Sequence, residues 1–121
     1  MERANKPDII RGVFAAYKAK DRTAVEGLLT DDFTFTSPYD DAIDKATYFE
    51  RCWPNSGLIR QYTLERILVE GDEAFVTYRA VANDGRVFRN TEFFTFDGDR
   101  IAKVEVYFGA SYKDDAFVRQ E

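Results

Sequence analysis

An α+β domain, with helices first and an antiparallel meander after, is the fold class this sequence predicts, and three observations carry it. Apolar residues recur at helical spacing early in the chain, at Ile9, Ile10, Val13, Phe14 and Tyr17. Beyond about residue 61 the apolar period drops from 3.6 to 2. Three turn-forming clusters, Gly71-Asp72, Asn83-Asp84-Gly85 and Asp97-Gly98-Asp99, punctuate that second half at hairpin spacing. Helices that precede a run of hairpin-linked strands pack together on one face of a curved sheet. The domain is placed at 1–121 as a single unit, because 121 residues bury one core and not two.

The elements follow in order. From Pro7 to about Lys20 the apolar stripe makes an amphipathic helix, with the proline tolerated in its first turn. Asp21 is placed to cap a second, shorter helix whose inner side is Ala24, Val25, Leu28 and Leu29. Phe33-Thr34-Phe35-Thr36 alternates strictly and reads as a short strand halted by Pro38. Asp44 caps a third helix that buries Tyr48, Phe49, Cys52 and Trp53 before Pro54 ends it. Strands are then expected at about 61–70, 73–82, 86–96 and 100–109, and the tail after Tyr112 is expected to fray.

Composition removes several function classes. Acidic residues number 22 against 17 basic ones, and the Lys and Arg are scattered, so a surface that tracks phosphates is excluded and nucleic acid is not an expected partner. There is no histidine, which removes Ser-His-Asp and Cys-His nucleophile schemes and His-ligated metal sites. Neither a metal nor a cofactor is expected, and proton transfer falls to Asp, Glu, Tyr, Lys or the thiol. Cys52 is the lone cysteine, so no internal disulfide forms. The start, MERANKPD, lacks an apolar core, and no apolar run approaches the roughly 20 residues of a membrane helix. The expected setting is cytoplasmic, with no membrane partner.

Chemistry concentrates in RVFRNTEFFTFDGDRIAKVEVYFG, from Arg86 to Gly109. Alternation puts Phe88, Asn90, Glu92, Phe94 and Phe96 on one face of a strand. A carboxylate on a mainly aromatic face is costly to bury ionised, and such sites have a compensating partner or a task. With 16% aromatic residues there is more ring surface than a small core needs, which fits an aromatic-lined cavity.

The segment FAAYKAKDRTAVEGLLTDDFTFTSP, with Asp-Asp-Phe entering the first strand, and the segment NTEFFTFDGDRIAKVEVYFG resemble the nuclear transport factor two-like superfamily. That superfamily is a cone-shaped α+β fold shared with ketosteroid isomerase and the SnoaL-like polyketide cyclases. The resemblance runs from about Ile9 to Gly109. It implies three N-terminal helices on a curved antiparallel sheet, a cavity inside the cone, and a homodimer through the outer sheet face. It does not specify a reaction, because the superfamily hosts isomerases, cyclases, dehydratases and non-catalytic binders. Position by position, the isomerases' proton-donating acid falls on Glu92. Their general base falls on Ser37, and their tyrosine donor falls on Val13, one turn from Tyr17. A serine is a poor base without a partner, so steroid isomerisation by that route is not expected.

Each candidate carries two readings. Glu92 is a general acid or ligand partner, or else a structural anion paired with Arg79, which a two-residue turn at Asp84-Gly85 would set on the same face. Asp40 and Asp41 are a displaced base at the cavity mouth, or a solvated acidic loop. Phe14, Tyr17, Phe35, Trp53, Phe94 and Phe108 are pocket wall or plain core. Ser37, Arg79 and Asn90 join them as ligand-contacting candidates, although Ser37 has no base in sequence reach and capping also explains it. Cys52 reads as an inert buried thiol.

The last hairpin has two possible registers. A two-residue turn pairs Glu92 with Glu105, and a three-residue turn puts Val104, Val106 and Phe108 inside with Glu105 and Tyr107 outside; the resemblance favours the second. Tyr78, Phe93 and Tyr107 are expected outside, as the apolar patch of the homodimer. The expected function is binding of a small, largely apolar molecule, with cofactor-free isomerase, cyclase or dehydratase chemistry through Glu92 and Asp40. The alternative is a non-catalytic ligand-binding or dimeric interaction module with a structural polar interior.

Overall fold

The computed structural model describes residues 5–118. Helix α1, Lys6–Ala19, begins where the Asn5 side chain accepts the Asp8 N–H at 2.9 Å, and Pro7 occupies its first turn. It ends at Lys20, whose φ of 57° is the left-handed stop of many helices. Helix α2, Arg22–Leu28, is capped by Asp21, and helix α3, Lys45–Arg51, by Asp44. All three bury one side: Ile9, Ile10, Val13 and Phe14 from α1, Val25 from α2, and Tyr48 and Phe49 from α3. A short 3-10 stretch, Trp53–Leu58, follows α3, so Trp53 and Pro54 lie beyond that helix rather than within it.

The strands are β1 Leu29–Ser37, β2 Asp40–Asp44, β3 Ile59–Glu70, β4 Glu73–Ala82, β5 Val87–Asp97, β6 Arg100–Lys113 and β7 Ala116–Val118. They form one sheet in the order β2-β1-β6-β5-β4-β3, with β7 on β6. The fold is the α+β cone, with three helices on a curved, unclosed sheet. One expectation is corrected: the sheet is mixed, because β1 and β6 pair in parallel. β1 leaves through β2 and α3, and the meander returns β6 to its flank running the same way. Up to Val118 the segment after Tyr112 does not fray, since β6 continues to Lys113 and turns back into β7; the expectation for 119–121 lies outside the described residues.

Bulges curve the sheet. Extra residues at Arg60 and Glu65 in β3, Ala102 in β6, and the Gly109-Ala110 pair opposite Arg89 each shift the register by one. The core lies between the helices and the concave face, where Ile10, Val25, Val76 and Ile101 have no exposed surface. Each such side chain contributes roughly 1.5–3 kcal/mol on burial.

Register decides which side chains see the interior. Between β4 and β5 the loop is the three residues Asn83-Asp84-Gly85, with Val81 opposite Val87 and Gly85 at φ 88°. A two-residue turn would have set Arg79 beside Asn90. The extra residue instead sets Tyr78 against Asn90 inside and Arg79 against Arg89 outside. Arg79 therefore does not share a face with Glu92, and Tyr78, expected outside, is buried at 5% exposure. The last hairpin turns in two residues, Gly98-Asp99, yet the bulge at Ala102 restores the pairing of Glu92 with Val106. Val104 and Val106 are buried and Tyr107 lies outside, as the second register required, although the turn itself is the shorter one.

Candidate functional site

The concave face of the sheet, α1, β1 and the Trp53–Leu58 stretch enclose a cavity of about 400 Å3. Glu92 lines it from the middle of β5. The cavity also brings together Phe14, Tyr17, Phe35 and Ser37, and from the opposite strands Asn90, Phe94 and Phe108. Asp40 reaches it from the start of β2. Two candidates fall outside. Arg79 is on the outer face for the register reason given above. Trp53 stands behind the wall, its ring 5.5 Å from that of Tyr17 and 5.9 Å from that of Phe49.

Among the described residues no cation pairs with Glu92. Burial pushes its pKa from 4.5 up to about 7, and a hydrogen bond donated by the Tyr78 hydroxyl pulls only part of the way back. Its residual exposure faces the cavity. The Asn90 amide in turn donates to the Tyr78 hydroxyl at 3.1 Å. Tyr78, Tyr62 and Phe14 pack as a ring cluster, with Phe14 4.9 Å from Tyr78 and 5.5 Å from Tyr62. Burial first, and Glu92 second, raise the pKa of Tyr17, Tyr62 and Tyr78. All three stay protonated, so their hydroxyls are available as donors around the carboxyl.

Asp40 is not a solvated loop residue. The β1–β2 hairpin sets it opposite Ser37 across the two-residue turn Pro38-Tyr39, and the Ser37 hydroxyl donates to its Oδ2 at 2.9 Å. Its Oδ1 lies 3.0 Å from the Arg51 guanidinium at the end of α3. Ser37 thus has a carboxylate partner after all; the Tyr39-Asp40-Asp41 stretch conceals it until the turn is seen to be a hairpin. Asp41 points to solvent. Burial pushes the Cys52 thiol up to about 11, which leaves it a poor nucleophile. Among the described residues no group of three or more acidic or cysteine side chains is placed to hold a metal ion, and no helix is long and apolar enough to cross a membrane.

Tyr62, Tyr78 and Arg86 are among the wall residues that the sequence reading did not assign to the cavity. Tyr62 shares the inner face of β3 with Leu64, and that alternation was a usable signal. Tyr78 was hidden by the turn length. Arg86, just before β5, carries no sequence mark that separates it from a surface arginine.

Residues 10–104 match the SnoaL-like domain family. The chain belongs to that family. Solved structures share the fold at low identity. A nuclear transport factor two-like protein from Cytophaga hutchinsonii has 17% identity and a TM-score of 0.73, over 89% of this chain and 93% of that one. A Burkholderia pseudomallei protein of the same fold has 21% identity and a TM-score of 0.66, over 88% and 92% of the two chains. A protein with a ketosteroid isomerase-like fold from Catenulispora acidiphila, solved with trimethylamine, has 15% identity and a TM-score of 0.68, over 87% and 88%. No curated protein matches the chain in sequence. The SnoaL-like family fixes the cone and leaves the chemistry to the side chains inside it.

Proposed function

We propose that this SnoaL-like protein binds a small, largely apolar carbonyl compound in its cavity and moves a proton on it through Glu92, without a cofactor. The observation that carries the reading is a carboxyl group inside an aromatic cavity, unpaired with any cation among the described residues, whose pKa, pushed up to about 7 by burial, matches the pH at which it would work. Protonated, Glu92 donates a hydrogen bond to a ligand oxygen. Ionised, it accepts a proton from carbon next to a carbonyl. The Tyr17 and Tyr62 hydroxyls supply neutral donors to an oxygen that gains negative charge. Asp40, held by Ser37 and Arg51, is the second carboxylate of the lining and the base of the pair. Isomerisation, cyclisation and dehydration all use such a pair. Homodimerisation through the outer sheet face, and a cytoplasmic setting with a reduced Cys52, belong to the same reading.

A non-catalytic carrier remains the second reading, favoured by the way Arg51 and Ser37 already occupy Asp40. Exchange of the α-protons of β-tetralone into D2O, followed by NMR, separates the two. Catalysed exchange that falls about 100-fold in Glu92→Gln supports proton transfer. Binding of the ketone with exchange at the background rate leaves only the carrier.

A further inference from the structure

We propose that Arg86 is an anion-docking subsite at the open end of the cavity, and that the ligand is therefore an apolar carboxylate, with its acid group on Arg86 and its oxygen-bearing end at Glu92. This deepens the reading above and rests on it, since it names the class of molecule the same cavity takes.

Arg86 lines the cavity together with Leu58 and Tyr39, which are 57% and 59% exposed, so this end opens to solvent. The loop that carries it is tied down there, because the Asn83 backbone N–H donates to the Leu58 carbonyl at 2.8 Å and the Asn83 amide to the Gly57 carbonyl at 2.8 Å. Arg86 folds back along β5, its guanidinium carbon 5.8 Å from the centre of the Phe88 ring. Its Nε is buried with no hydrogen-bond partner, and among the described residues the side chain makes no ion pair. Among the described residues, two carboxylates bear on it: Asp84, whose pKa the Arg86 backbone N–H and, in smaller part, the Arg86 charge help to lower without a side-chain ion pair, and Asp40, which shares the cavity lining. Asp84 accepts the backbone N–H of Arg86 at 2.9 Å from an exposed turn, and Asp40 is matched by Arg51. Neither takes the guanidinium.

An arginine in a cavity wall whose side chain makes no ion pair among the described residues is suited to a planar anion, and a carboxylate meets the two terminal nitrogens of its fork with two bonds, the Nε itself being shielded. The position favours an acid at the end of an apolar body, because a charge at the open end keeps part of its hydration while the body enters among rings. Length follows from the strand. The guanidinium lies level with Phe88, four residues from Glu92, which is roughly 13 Å at ~3.3 Å per residue. A medium-chain or fused-ring acid spans that distance; a short acid such as acetate does not.

Calorimetric titration with decanoate below its micelle concentration and decanol below its solubility limit tests this on the full chain and on Arg86→Gln and Arg86→Lys. The wild-type protein is expected to bind decanoate at least about tenfold more tightly than decanol. Arg86→Gln should erase that difference by weakening decanoate alone, and its unchanged decanol affinity certifies an intact cavity. Arg86→Lys should restore part of the preference, as a point charge without the fork. Equal binding of acid and alcohol by the wild-type protein, or equal weakening of both by Arg86→Gln, overturns the anion subsite and leaves the apolar-cavity reading standing. Failure of the wild-type protein to bind either ligand overturns both.

Discussion

A carboxyl that titrates near 7 inside the fold and near 4.5 outside it links the cavity to stability. Between those values the unfolded chain ionises Glu92 while the folded chain keeps its proton. The folded state binds more protons, so stability falls as pH rises through that window and stays at the lower level above it. The shift corresponds to about 3 kcal/mol at most. Glu92→Gln needs no proton and still accepts from Tyr78. It should match the wild-type protein near pH 4, exceed it by up to about 3 kcal/mol at pH 8, and flatten the slope between. Urea unfolding at a series of pH values reads this directly, and a variant less stable at pH 8 would show that Glu92 is held as a structural anion. Tyr78→Phe removes the one hydrogen bond that lowers the Glu92 pKa, so the side-chain carboxyl resonance should titrate higher still. An unchanged midpoint would exclude that contact.

At the scale of elements, one close approach holds the curvature of the meander. A Cβ on Gly109 would lie 2.6 Å from the Arg89 carbonyl oxygen, a backbone atom with nowhere to retreat. Gly109→Ala should therefore cost about 1–3 kcal/mol, because the bulge opposite Arg89 must open. Gly12, on the exposed side of α1, meets nothing within 4 Å, and Gly12→Ala should stabilise by about 0.5–1 kcal/mol. Thermal melts of the two variants should move in opposite directions; a parallel shift would sink the argument. The same contrast explains what the sequence disclosed. Helix starts at Asp21 and Asp44 were legible because the capping bond is local, within three residues of the cap. So was the inner face of β5, since alternation needs no partner strand. The Arg79–Tyr78 exchange was not legible, because one extra loop residue at Asn83-Asp84-Gly85 inverts every side chain of β4. Nor was the hold on Asp40, which depends on a hairpin meeting the far end of α3. The bulges at Arg60, Glu65 and Ala102 escape pattern reading because the extra residue carries no signature of its own, whereas Gly109, a glycine inside a strand, does mark the bulge opposite Arg89.

Over the whole molecule, the outer face of the sheet carries rings and aliphatics that the core does not use. Phe75 is 47% exposed, Tyr107 53% and Leu68 67%. Phe75 packs on Phe93 with ring centres 4.8 Å apart, and the Thr77 and Thr91 hydroxyls sit 2.7 Å from one another beside them. Phe75 thus takes the place in this patch that the sequence assigned to Tyr78. Charge on the same face is partly matched within the chain, since Arg89 holds Glu65 at 2.7 Å. An apolar centre with a polar margin is the composition of a self-complementary contact, in which a second copy meets the same patch across a two-fold axis. A stable contact needs roughly 1,000 Å2 or more in total, which a sheet face of several long strands can supply. The expected outcome is a homodimer by sedimentation at micromolar concentration, with a thermal midpoint that rises with protein concentration. Phe75→Asp should dissociate it while leaving decanol binding in the cavity intact, because Phe75 points away from the cone interior. A wild-type protein that sediments as a monomer, with a midpoint independent of concentration, would assign the patch to some other partner or to none.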